Sequence, residues 1–338
     1  MIPQTARRGL VLALMAALAG CNTVVLNPTG DIAAQEAHLV AVSTYLMLLI
    51  IVPVIILTVW FAFKYRASNT EAEYQPDWDH STKLELVIWG APLLIVIVLG
   101  LVTWIYTHKL DPYRPLDRIA EGQPVAPTVK PLVVQAVAMD WKWLFIYPEQ
   151  GIATVNELVV PVNVPVRFKV SATSVMNAFY VPELAGMVYA MPGMEITLNA
   201  VQNKPVNSIG FSSNYSGAGY SDMRFGYRGV PQADFDGWVQ SVKSAGGNLD
   251  RVNYLTLEKP SIKEPVHRYA AVDGDLYHRI LNRCVQDGVV CQDQMMNMDA
   301  QKAREMAMRS APQRAAATRL AQASGEVCAQ PNDSVKKK

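Results

Sequence analysis

The chain has 338 residues, 51% of them hydrophobic, with a mean hydropathy of +0.12 and a formal net charge of +1. That length suits two structural units, and the hydrophobicity is high for a purely soluble protein, so membrane segments are expected. The near-neutral balance, with no basic patch interleaved with aromatics, excludes nucleic acid as a partner.

In chain order, Arg7 and Arg8 precede the apolar run GLVLALMAALAGC. A basic start followed by an apolar run too short to span a bilayer is an export signal, here residues 1–20. Its end, Leu18-Ala19-Gly20-Cys21, resembles the lipobox of bacterial lipoproteins, in which the cysteine becomes the mature N-terminus and carries lipid. Cys21 is therefore the expected lipidation site; an ordinary signal peptide with a chance cysteine is the plainer alternative. Acyl chains add about 0.8 kcal/mol of membrane affinity per buried CH₂.

Leu39–Phe63 and Leu86–Thr107 carry no charged residue. Each exceeds the roughly 18 residues that separate a spanning helix from a core helix. With the segment from Cys21 they make up an N-terminal unit, residues 21–108, built on a two-helix transmembrane hairpin. Pro53 and Pro92 lie inside the runs. A proline in lipid frees a carbonyl that a neighbouring helix must satisfy, so the hairpin is expected to pack on other membrane helices. Trp60, Trp89, Trp104 and Tyr106 lie near the ends, where amphipathic rings favour the interface. No Lys or Arg occurs between Cys21 and Phe63, whereas Lys64 and Arg66 follow at once. The asymmetry places the loop of residues 64–85 in the cytoplasm and the rest, from about residue 108, in the periplasm.

Residues 109–131 form a proline-rich linker. From Leu132 the pattern changes to period two: VRFKVSA sets Val166, Phe168 and Val170 on one face and Arg167 and Lys169 on the other, and Ile196 and Leu198 alternate in EITLNAV. Short alternating runs between Pro, Gly and Asn predict a Greek-key β-sandwich over residues 132–238. Residues 239–338 read as a less compact helical extension ending in a solvated tail, Lys336–Lys338. The Met295–Met298 cluster reads as an adaptable segment, with copper handling through thioethers the weaker reading. Cys284 and Cys291 are close enough to pair, leaving Cys328 odd, but the sequence does not choose the pairing.

Three segments carry a resemblance: MDWKWLFIYPE, SVMNAFYVPELAGMVYAMPG and FSSNYSGAGYSDM, in that order. They are similar to subunit II of the haem–copper respiratory oxidases, specifically the quinol-oxidising, cytochrome bo-type branch, over roughly Cys21 to Cys284. The resemblance implies a membrane-anchored α+β protein: the hairpin, then a periplasmic cupredoxin-like sandwich. It implies a two-pass, lipid-anchored place in the bacterial inner membrane. It further implies a haem-bearing subunit I as partner, which would hold the haems and copper and most of the quinol site, and ubiquinol as the substrate of a proton-pumping complex that reduces oxygen to water.

In the cytochrome c-oxidising relatives this sandwich holds two coppers through two Cys, two His, a Met and a carbonyl. The matching positions here are Ser212 and Ser216, Asn177 and Tyr220, Met223, and Asn214 for the carbonyl. All five histidines (His38, His80, His108, His267, His278) and all four cysteines fall outside residues 132–238. Copper is held tightly by thiolate and imidazole, which these serines, Asn and Tyr do not supply. This chain is therefore expected to bind no metal, and its donor to be a membrane quinol rather than cytochrome c. Tyr215 and Tyr220 are expected to fill the vacated pocket. Trp141 and Trp143, two apart, are expected to face opposite sides, one packing in the sandwich and the other facing subunit I or the quinol; the plainer alternative, favoured over an electron-transfer role, is that both are structural aromatics. Glu85, at the cytoplasmic end of the second helix, matches the place of a subunit II glutamate that admits protons; the plain alternative is an interfacial acid. The competing functional readings are a lipid-anchored periplasmic scaffold outside any oxidase and a copper-bearing cytochrome c oxidase subunit, which the ligand inventory disfavours.

Overall fold

The computed structural model describes residues 23–73, 77–126 and 128–323. Cys21, the export signal, Cys328 and the lysine tail lie outside them.

Two long helices, α1 (Asp31–Lys64) and α2 (Thr82–Lys109), are apolar enough to cross a membrane. Both exceed the uncharged runs that predict them. The extra turns of α1, Asp31–His38, are polar because they dock on the sandwich instead of entering lipid. The side chains of the spanning stretches are exposed nearly throughout. His38 Nδ1 meets the Tyr106 hydroxyl at 3.0 Å and ties the outer ends of the hairpin.

The linker is not wholly irregular: β1 (Arg118–Ala120) and β2 (Gln123–Pro124) form a small antiparallel pair. The sandwich begins with β3 (Leu132–Met139), β4 (Lys142–Tyr147), β5 (Ile152–Val155), β6 (Glu157–Pro161) and β7 (Pro165–Ala172). It continues through β8 (Asn177–Val181), β9 (Ala185–Ala190), β10 (Ile196–Val201), β11 (Val206–Ser212) and β12 (Arg224–Val230). After α3 (Gln232–Ser244) come β13 (Asn248–Leu249), α4 (Arg251–Leu257), β14 (His267–Tyr269), β15 (Ala271–Val272), α5 (Leu276–Leu281) and α6 (Gln292–Ala323). One sheet runs β10-β7-β3-β4-β5-β14, the facing one β6-β12-β11-β8-β9.

Between the sheets lies an aromatic core. The fully buried Trp143 ring stands 5.5 Å from Phe179 and 5.7 Å from Phe225, and Phe145 lies 4.9 Å from Phe225. Edge-to-face packing of this kind adds about 0.5–1.5 kcal/mol per pair beyond area burial. Val166, Phe168, Val170 and Leu198 join the core as the alternation predicts.

The sandwich does not end at Trp238. That residue lies in α3, buried beside Tyr147 at 5.3 Å. The segment that follows is compact. β14 pairs with β5 and extends the six-stranded sheet. Leu249, Tyr254, Leu257, Leu276, Tyr277 and Ile280 cover its outer face, against Val137, Met139, Leu144 and Ile146. Both faces of this sheet are therefore buried, and β4 is buried at every position. Cys284 pairs with Cys291, settling what the sequence leaves open.

Three polar groups fasten this arm. The Lys142 ammonium, almost fully buried, donates to the Lys259 carbonyl (2.8 Å) and Ser261 Oγ (2.5 Å). Burial pulls its pKa down, opposed by the charges of Glu264 and Asp140. The Asn156 amide donates to the Glu264 carbonyl at 2.8 Å. Glu157 accepts from Arg268 at 2.8 and 2.9 Å and from Arg228 at 2.9 Å, linking the two sheets through the arm.

The sandwich is also tied to the membrane hairpin. Thr29 N–H and Gly30 N–H donate to the Glu183 carbonyl, Asn203 N–H to the Thr29 carbonyl, and the Gln202 amide to Thr29 Oγ1 at 2.6 Å. Arg118 grips Asp31 with two hydrogen bonds, 2.9 and 3.0 Å. One turn on, Glu36 accepts the Gly186 N–H at 3.0 Å. Only glycine fits at position 30: a Cβ there would stand 2.7 Å from the Leu184 carbonyl oxygen and 2.9 Å from that of Val201.

Burial raises the Glu157 pKa, but the hydrogen bond and charge of Arg268 and the charge of Arg228 outweigh it, and the net shift is downward from 4.5. A depressed carboxyl stabilises the fold above its unfolded pKa and ceases to do so as pH falls through the folded value. Glu157→Gln is expected to cost roughly 2 kcal/mol at neutral pH, discounted because both arginines are partly exposed. Its thermal melting should also fall less steeply than the wild type's below the unfolded value of 4.5. Thermal unfolding of the full chain in detergent across pH checks both.

Candidate functional site: a loop with polar ligands in place of soft ones

The loop between β11 and β12 starts at Ser212 and returns at Met223, with a 3₁₀ turn at Tyr220–Asp222. It faces the start of β8, where Asn177 lies. The structure brings three of the sequence-predicted positions, Asn177, Ser212 and Asn214, together as a hydrogen-bonded knot, and leaves Tyr220 outside it. Ser212, 2% exposed, is its centre. Its Oγ accepts the Ala178 N–H (3.2 Å) and contacts Asn177 Oδ1 (3.1 Å) and the Asn214 carbonyl (3.2 Å), either of which can take its single proton. The Asn214 amide donates to the Met176 carbonyl at 3.0 Å. Ser216 Oγ reaches Met223 Sδ only at 4.0 Å, a weak contact. Met223 is fully buried and its side chain belongs to the aromatic core.

Trp141 closes the loop from outside. It lies in the turn joining β3 and β4, with φ +68°. That left-handed backbone is costly for a bulky residue and persists only where the surroundings impose it. Here the indole packs on the loop. A Cβ at Gly219 would stand 2.5 Å from the Trp141 ring, and one at Gly217, itself at φ +111°, 3.2 Å. The indole Nε1–H donates to the Ser216 carbonyl at 3.1 Å. Trp141 and Trp143 do have different surroundings, but through the hairpin turn and not through strand alternation. Trp143 is the one inside the sandwich; Trp141 is half-buried on the loop.

Two expectations need correction. Tyr215 does not fill a vacated pocket: it is 74% exposed, its ring 5.5 Å from that of the half-buried Tyr220. The space beside Ser212 is taken by its own contacts with Asn177, Ala178 and Asn214. Nor is the sandwich free of histidine, because His267 lies in β14 at the edge of the six-stranded sheet. It does not supply a missing ligand: its Nε2 meets Glu264 Oε1 at 2.8 Å, and the loop belongs to the other sheet.

The donor set does not fit a copper pair. Asn177, Ser212, Ser216 and Tyr220 offer hydroxyl and amide groups, leaving one thioether as the soft ligand. Among the described residues no cluster of three or more His, Cys, Asp or Glu could hold a metal ion.

At the opposite end of the molecule, Glu85 lies in the first turn of α2, about half exposed. His80 Nδ1 meets its Oε1 at 2.7 Å, and His80 Nε2 meets Thr82 Oγ1 at 3.1 Å. His80 was not singled out in the sequence, since a residue before a helix start has no periodic relation to the helix. Its spacing of five from Glu85, across the Ser81 cap, is the one cue.

Two family models match the chain: the periplasmic domain of cytochrome c oxidase subunit II over residues 148–230, and the COX aromatic rich motif over residues 243–288. Among curated relatives, the cytochrome bo(3) ubiquinol oxidase subunit 2 of Pseudomonas putida is 48% identical, covering 80% of this chain and 83% of that protein. The ubiquinol oxidase subunit 2 of Acetobacter aceti is 46% identical over 81% and 86%. Among solved structures, the periplasmic domain of cytochrome oxidase subunit II (CoxB) of Bradyrhizobium japonicum is 26% identical, covering 36% of this chain and 99% of that one, with a TM-score of 0.33.

The knot makes the two serines unequal. Ser212→Ala leaves the Ala178 N–H buried without an acceptor, which costs about 1–3 kcal/mol, while Ser216→Ala removes only the weak thioether contact and should cost a few tenths. Equilibrium unfolding of the two variants, with hydrogen exchange across residues 212–223, measures the difference.

Proposed function

The chain belongs to the subunit II family of the ubiquinol-oxidising haem–copper terminal oxidases, and from that premise we propose a division of labour for it. Its periplasmic sandwich is a metal-free packing body. Electrons pass from quinol in the membrane to haems and copper in subunit I without crossing this chain, and Glu85 takes up protons on the cytoplasmic side.

The observation that carries the first part is the knot at Ser212. A copper pair is a crosslink as well as a redox centre: it holds two chain segments together through six ligands. Here the contacts of Ser212, which accepts from the residue 178 N–H and can donate to residue 177 or 214, and the clamp of Trp141 on Gly217 and Gly219 supply the crosslink without redox capacity. A water-soluble cytochrome needs a relay in the periplasm. A quinol already dissolved in the bilayer does not.

Glu85 and His80 support the second part. A carboxylate hydrogen-bonded to an imidazole at the mouth of a membrane helix can collect a proton and hold it near the surface. The loop that carries them lies between the two apolar helices, so the second helix alone separates it from the sandwich and places it on the opposite side of the membrane. We further propose that Cys21 is acylated in the outer leaflet of the inner membrane. Few residues separate Cys21 from Thr29, which the sandwich holds, so an acyl chain on Cys21 has only a short tether to the start of α1.

The intact oxidase is expected to oxidise ubiquinol rapidly and reduced cytochrome c negligibly, with no copper in the separated subunit II. Cytochrome c turnover or a dicopper spectrum from this chain overturns the reading. Glu85→Ala should slow quinol-driven turnover severalfold at unchanged haem content, with His80→Ala milder; full turnover of assembled Glu85→Ala oxidase removes the proton-uptake role.

A further inference from the structure

The cytoplasmic end of α1 opens onto a cavity of about 1060 Å³ that the functions above do not use. Its walls include Phe61, Lys64, Tyr65, Arg66, Glu73 and Trp78. Lys64, the last residue of the helix, sets its ammonium 5.0 Å from the Trp60 ring centre and 5.3 Å from that of Tyr65. Neither Lys64 nor Arg66 forms an ion pair among the described residues. The floor is shaped: the Asn69 amide donates to the Lys64 carbonyl at 2.6 Å, and Asn69 N–H to the Arg66 carbonyl at 2.9 Å. Below the cavity, on the membrane side, lie the exposed Trp60, Phe61 and Leu57.

We propose that this cavity binds the headgroup of an inner-leaflet aminophospholipid of the phosphoethanolamine type; the leaflet assignment rests on the orientation proposed above. Each part of such a headgroup has a partner. The phosphate sits against the side chains of Lys64 and Arg66, which offer charge-assisted hydrogen bonds and outweigh the helix C-terminal dipole, and the aromatic rings hold the lysine ammonium in place. The primary ammonium reaches outward to the Glu73 carboxylate. The acyl chains run down the apolar flank of α1. The loop also carries Glu71, Asp77 and Asp79. That acidic surplus disfavours a purely anionic headgroup and favours one bearing its own N–H donors.

The test uses the assembled oxidase in its membrane, with the photo-crosslinking residue p-benzoylphenylalanine replacing Ala67 on the cavity wall. Mass spectrometry of the irradiated subunit should find a phosphatidylethanolamine adduct in excess of that lipid's share of the membrane. Lys64→Gln and Arg66→Gln should each lower the yield about fivefold, the factor that about 1 kcal/mol per surface cation represents. Glu73→Gln should lower it without raising capture of other lipids, and haem content should be unchanged in all three. In nanodiscs, phosphatidylethanolamine should be captured in preference to phosphatidylcholine, which lacks N–H donors, and to phosphatidylglycerol. An adduct that follows bulk lipid composition, or a crosslink to another subunit, overturns the assignment. A separate arm labels Ser68→Cys with a membrane-impermeant maleimide, against the parent chain. Reaction only in inverted vesicles upholds the orientation, and reaction in right-side-out vesicles overturns the orientation itself, independently of the lipid result.

Discussion

The structure turns on the junction where the chain leaves lipid and meets the sandwich. Thr29, Gly30 and Asp31 are held by the backbone of residues 183 and 203 and the side chains of Gln202 and Arg118, and Glu36 is held one turn later. The junction is backbone against backbone at Gly30, without a side chain between, so it has little freedom to hinge. Two apolar helices and a water-facing domain thereby form one body.

The same economy governs the loop at Ser212. The fold of a metal site survives the loss of its ligands only when something else satisfies the buried backbone groups that the ligand segments bring together. Serine suits this because one oxygen accepts an amide proton and donates its own. Asparagine at 177 supplies an acceptor within reach of that hydroxyl. Trp141 contributes shape: its strained backbone is compensated by the surface it buries on two glycines.

The hairpin was legible because uncharged runs of that length have one physical use, and the inter-sheet core because alternation survives wherever one face of a strand is wet. The arm after Trp238 was not. Its strands are two or three residues long, too short for any period, so β14 and His267 gave no sign of joining the sheet. One cue did exist. KWLFIY in β4 does not alternate, and an unbroken apolar strand in a sheet means that both faces are covered. At the loop, the polar character of the residues could be read from residue type alone, but the exposure of Tyr215 could not, because it depends on how the loop folds around Ser212. The pairing of His80 with Glu85 depends on the geometry of a helix start, which sequence spacing only hints at.

β14 has a consequence beyond shape. Without it β5 would end the sheet as an open ladder of amides and carbonyls, the form in which exported β-proteins join to one another and precipitate. Three residues, His267–Tyr269, close that ladder, and Arg268 among them is locked to Glu157. The six-stranded sheet thus ends in a three-residue edge carrying a paired arginine, a poorer template for a further strand than β5 would be.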